Sequence, residues 1–271
     1  MTGQSLVSVV GTYPREGEMM FDVPLFMLIS AFAVVAIVLV VPGQVKGLLS
    51  RRSDITASVP MVMVGVGAAV QQSLFAVGLA AAGTAVAPRT GLGAPWFAAV
   101  SHGEGLGLTE AAAQLPAALI VGALSSVLFL LLYYQVFRPR MAAQDLGRIE
   151  EFRSSMGLWG RMLMGGVAEE VMFRWGVMSV LAWLAIGVAD MPIGLGMWVA
   201  IVVAGLLFGL GHLPGVMAAG VKLTKLIVAT AISLNMVVAL AFGWLFWQYG
   251  LLAAIVAHAL LHAVWHPLER A

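Results

Sequence analysis

The sequence predicts an all-α fold, a polytopic bundle of about seven or eight transmembrane helices, from two observations. First, 61% of the residues are hydrophobic and 10% are charged, against roughly 25% charged in soluble domains. Second, the apolar residues gather into runs of about 18 residues or more, long enough to cross a bilayer as helix. A chain of 271 residues folded in water could not hide that much apolar surface. The whole chain, 1–271, reads as one membrane domain. Residues 1–159 carry the N-terminal helices and a surface helix, and residues 160–271 carry the helices that bear the chemistry.

Taken in order, the first span is predicted from Pro24 to Val41 and the second from about Val59 to Ala87. The third runs from about Ala112 to Phe137 and the fourth, which carries charges, from about Gly160 to Val188. The fifth covers about Pro192 to Leu210, the sixth Leu226 to Trp247 and the seventh Leu251 to Trp265. Gly91 to Leu108 is Gly-rich and contains Pro95, Trp96 and His102. It is compatible with a loop, a re-entrant segment or an eighth span. Between the third and fourth spans, Ile149, Phe152, Met156 and Trp159 recur at helical spacing among Arg148, Glu151 and Arg153. That pattern fits a helix on the membrane surface, and equally a solvated linker helix.

Charge orients the spans. Lys46, Arg51 and Arg52 follow the first. Arg138, Arg140, Arg148 and Arg153 precede the fourth, with Arg161 at its start, and Lys222 and Lys225 precede the sixth. With seven spans all three basic loops share one side, which the positive-inside rule assigns to the cytoplasm. The N-terminus, with Glu16, Glu18 and Asp22, is then outside and the C-terminus inside. The first 22 residues are mixed and polar, and no small-residue cleavage site follows the first apolar run, so no cleavable signal is expected. The net charge of +1 and the lack of a basic stretch give no sign of nucleic-acid binding. The chain has no cysteine, which excludes disulfides, thiolate catalysis and zinc–thiolate sites.

Ionisable groups inside a bilayer cost several kcal/mol, about 2.5–3.5 by insertion scales, so each asks for a reason. The fourth span contains Glu169, Glu170 and Arg174. Glu170 and Arg174 are four apart and can pair on one helix face, whereas Glu169 points about 100° away. A carboxylate left without a local partner in an apolar site is poised to accept and return a proton. The fifth span ends Phe208-Gly209-Leu210-Gly211-His212, and in the seventh His258 and His262 share one face. Under the seven-span orientation these groups come from three helices to one depth near the cytoplasmic side. Singly, each has a plain structural reading: the Glu–Arg pair as helix-packing glue, His212 as an interfacial residue, the two histidines as donors to backbone carbonyls. His102 and His266 fit interfacial roles. The convergence is what points to a site.

Glu-Glu-x-x-x-Arg, then Phe-x-x-x-His, then a His followed four residues later by a polar residue, resembles the motif set of the CAAX protease and bacteriocin-processing family. Its members are intramembrane endopeptidases that include the type II CAAX prenyl endopeptidases. The resemblance covers roughly residues 160 to 266, including Gly243-Trp244-Leu245-Phe246-Trp247. It implies that Glu169 is general base toward a water that His212 helps hold, that Glu170 and Arg174 shape the site, and that His258 helps stabilise the oxyanion. The family's last motif commonly ends in Asn or Asp, where this chain has His262. No cofactor is then required. His-x-x-x-His is also a metal-ligand spacing, however, and a zinc version would draw on Glu169, His212, His258 and His262. The implied partners are the lipid bilayer and a membrane-associated protein or peptide, prenylated at its C-terminus or not. The rival reading from the residues alone is a proton or metal-ion transporter using the same Glu and His side chains. A non-catalytic immunity or adaptor protein on the same scaffold is a third.

Overall fold

The structure, a computed structural model, describes residues 21–49 and 60–269. Among them there are helices and no strands. Seven helices are long and apolar enough to span a membrane: α1 (Val23–Leu49), α2 (Met61–Thr90), α4 (Leu108–Arg140), α6 (Gly157–Val188), α7 (Ile193–Ala218), α8 (Lys225–Tyr249) and α9 (Leu251–Leu268). Two short helices complete the set, α3 (Pro95–Ser101) and α5 (Ala143–Ser154). Only helices satisfy every backbone N–H and C=O within a single segment, which is why apolar runs of this length take this form in lipid. The protein is an integral membrane protein and an all-α polytopic bundle. Arg51, Arg52, Glu16 and Glu18, used above for orientation, lie outside the described residues, as does the start of the predicted second span at Val59.

The Gly91 to Leu108 segment does not cross. Its helix α3 has seven residues, a rise of about 10 Å against a hydrocarbon core of about 30 Å. The segment nevertheless tucks into the bundle. Phe97 is fully buried, and the carbonyl of Gly93 accepts the amide of Leu251 at the start of α9. Gly250, with φ of 105°, makes the tight turn from α8 into α9 there. The short helix α5 ends at Ser154, and Gly157 (φ 62°) begins α6. Ile149 and Phe152 lie half-buried on α5, but Trp159 belongs to the first turn of α6 and is exposed.

α9 packs against α4, α6 and α8, and α6 also packs against α1 and α2. Small residues permit these approaches, as is usual between membrane helices. A Cβ on Gly122 of α4 would touch the backbone of Ala257 in α9, at 2.9 Å from its Cα. Against α2, Trp175 of α6 donates its indole N–H to the Ala80 carbonyl and the Thr84 hydroxyl, both at 3.2 Å. The outward faces stay apolar, with Val62, Leu74 and Leu119 exposed. α6 sits inside this arrangement, and that is where the charges are.

Candidate active site

α6 is wound wide over Met162–Glu169 and again over Val171–Met178, with i→i+5 rather than i→i+4 bonding. Such turns recur at functional sites because they re-aim side chains without ending the helix. Glu170, at the junction of the two stretches, points inward and is fully buried. Its Oε2 pairs with Arg174 Nε at 3.1 Å and its Oε1 accepts from His258 Nδ1 at 2.7 Å. Arg174 also donates from Nη2 to the Val238 carbonyl at 3.3 Å and lies over the Phe208 ring at 5.0 Å. Glu170, Arg174 and His258 thus form a closed triad from two helices, each member at most 3% exposed. A charge buried this deeply is tolerated only when paired and hydrogen-bonded.

Glu169 faces elsewhere. Its side chain keeps 20% of its surface exposed, and Oε1 stands 4.0 Å from His212 Nε2. His212 sits at a break in α7, where the helix stops at Gly211 and resumes at Leu213. Pro214, which has no N–H and whose ring excludes the carbonyl four residues back, accounts for the break. The His212 amide turns to the Gly209 carbonyl, and the Phe208 carbonyl accepts from His212 Nδ1 at 2.8 Å. That bond fixes the tautomer: Nδ1 carries the proton and Nε2 offers a lone pair. Glu169 Oε1 and His212 Nε2 are then two acceptors facing each other. A water donating one hydrogen to each, with bonds of about 2.8 Å, spans about 4.4 Å. The observed gap suits such a water, and the pair can draw on both of its protons.

Residues 152–264 match the family described as Type II CAAX prenyl endopeptidase Rce1-like. That stretch of the chain is similar to the family. No curated protein and no solved structure matches the chain. The Rce1-like stretch holds all six candidate residues, Glu169, Glu170, Arg174, His212, His258 and His262, while α1 to α4 lie outside it.

Within the matched stretch the six candidates fall into three groups: the Glu169–His212 pair, the Glu170–Arg174–His258 triad, and His262. The His262 ring stacks on His258 at 5.0 Å, with 23° between the planes, and its Nδ1 is buried without a hydrogen-bond partner. His102 is apart from them all, bonded to Asp22 at 3.1 Å. Sequence reading overlooked what ties the groups together. Phe208, 1% exposed, has its ring edge-on to His212 at 4.7 Å and to His258 at 6.3 Å, and Phe242 lies 5.3 Å from His258. Phe208 stands one turn before His212 in the motif, and that spacing was the available signal. Among the described residues no three His, Asp or Glu side chains group so as to hold a metal ion, although His258, with Nδ1 bonded to Glu170, keeps its Nε2 free.

Proposed function

We propose that the protein is an intramembrane endopeptidase that hydrolyses a peptide bond of a membrane-associated protein with a water activated by Glu169 and His212. The observation that carries this reading is the pair of facing acceptors, 4.0 Å apart and partly open, beside a sealed ionic triad. Peptide hydrolysis needs a nucleophile, a base and stabilisation of the oxyanion. Water is the nucleophile. Glu169 takes its proton as the oxygen attacks the carbonyl carbon, and returns it to the leaving amine. His212 holds the water's other hydrogen and so fixes its lone pair toward the carbonyl.

Glu170 and Arg174 position His258. With Nδ1–H donated to Glu170, His258 offers Nε2 to the reacting centre, and Nε2 donates to the oxyanion when the ring carries both protons. Glu170 is the counter-ion for that form. No step requires a metal. The family description supports a C-terminal, prenylated peptide as the substrate class. The basic residues Lys46, Arg138, Arg140, Arg148, Lys222 and Lys225 support a site that opens toward the cytoplasm, with the C-terminus on that side.

The test is cleavage by purified protein in detergent. Farnesylated C-terminal peptides, the same peptides without lipid, and internal transmembrane peptides are offered with and without a chelator. Cleavage of at least one class, unaffected by the chelator, is the expected result. Failure to cleave any class sinks the reading. Loss of activity with chelator replaces the metal-free mechanism by the zinc one, and in that case His262→Asn should lose bound metal and activity together.

A further inference from the structure

His262 is too large for an ordinary helix contact at its position. Across from it on α6 is Gly165, one turn before Glu169. A Cβ built on Gly165 would collide with His262 Nε2 and would lie 3.0 Å from His262 Cδ2 and 3.1 Å from His258 Nε2. The imidazole of His262 therefore occupies space that any other residue at 165 would fill. One face of the ring stacks on His258, which sets its orientation, while Nδ1 is buried without a partner. His258 in turn is fixed through Nδ1 by Glu170. The result is that Nε2 of both rings is turned to the same spot on α6, beneath Glu169. Neighbouring Gly166 differs: a Cβ there would meet Ala259, at 3.1 Å from its Cβ and 3.3 Å from its Cα, and no histidine.

We propose that Gly165 is a positioning residue matched to His262, seating its imidazole beside His258 so that two Nε2 atoms face the reacting carbonyl. The catalytic part of this proposal rests on the protease reading above; the seating part does not. Adding a methyl at 165 pushes the His262 ring out of its stack, and the ring carries the second donor with it. A shorter side chain at 262 that still has an N–H donor relieves the collision.

The experiment is a double-mutant cycle on Gly165→Ala and His262→Asn, reading Tm in detergent together with kcat and KM on the best-cleaved peptide. Gly166→Ala, alone and with His262→Asn, is the control. Gly165→Ala is expected to lower kcat about 100-fold, the scale of losing one oxyanion donor, with KM within about threefold. His262→Asn in that background should recover at least about tenfold in kcat and part of the lost Tm, whereas it should recover neither in Gly166→Ala. If the double variant is no better than Gly165→Ala in both readouts, or neither variant folds, the pairing is overturned. Recovery of Tm without recovery of kcat overturns the positioning role. If wild type cleaves nothing, the protease reading has failed instead, and the Tm cycle alone decides whether Gly165 seats His262.

Discussion

Glu169 keeps a fifth of its side chain exposed and has one imidazole 4.0 Å away, whereas Glu170, the next residue, is fully buried and holds both Arg174 and His258. Two identical side chains, adjacent in sequence, have been given opposite surroundings. The wide turns of α6 aim one toward the break in α7 and the other into the α8–α9 side of the bundle. Each oxygen of Glu170 has one charged or N–H partner, Arg174 at Oε2 and His258 at Oε1. Glu169 Oε1 faces a lone pair across a gap and has room for a proton. A carboxylate paired and fully buried stabilises a structure; one at a partly open position can do chemistry.

The strongest way to break the contrast is Glu169→Gln. Cleavage is expected to fall by about 10²–10⁴, the range for loss of a general base, while Tm in detergent stays within a degree or two of wild type. A variant that cleaves normally, or that unfolds, would erase the distinction between the two glutamates. Arg174→Ala probes the other side. Stranding Glu170 as a buried, half-paired charge should cost about 3–5 kcal/mol of stability, read as a lower Tm and yield. Combining it with Glu170→Gln should restore much of that loss. A single variant as stable as wild type would show that the triad is not the structural member.

His258 sharpens the comparison because it belongs to the triad and faces the site. His258→Ala is expected to lower kcat by the equivalent of about 2.7–4 kcal/mol, with a smaller change in KM, and also to lower Tm because Glu170 loses a partner. An effect on KM alone would remove it from the oxyanion role. The smallest effect is expected at the ion pairs beside the end of α9. Glu269, just beyond α9, forms ion pairs with Arg153 of α5 and with Arg161 of α6, the latter at 2.6 Å, and Arg153 lies over Trp265 at 4.1 Å. Glu269→Ala should cost about 1 kcal/mol, the upper end of ion pairs near a protein surface, without changing KM. Limited proteolysis between α5 and α6 would report release of α5, and wild-type Tm and proteolysis would show that the clasp contributes nothing.

The sequence by itself determined the class of the molecule. Hydropathy and run length are local and additive, so seven spans and their approximate limits could be read directly, and the composition excluded a water-soluble fold. The i,i+4 spacing of Glu170 with Arg174 and of His258 with His262 likewise foretold which side chains share a helix face, because helix geometry is set by the backbone. The Gly91–Leu108 segment could not be read in this way. Its short helix is held by a bond from Gly93 to Leu251 and by burial of Phe97, contacts made by residues far apart in the chain. Only the tertiary structure decided that Glu169 meets His212 and that Glu170 meets His258, since both depend on the widened turns of α6 and the break at His212. It alone gave Phe208 its place between two histidines, and it alone set Gly165 against His262. Those pairings depend on how closely two helix backbones approach and how they are rotated, and no periodicity within one helix carries that information.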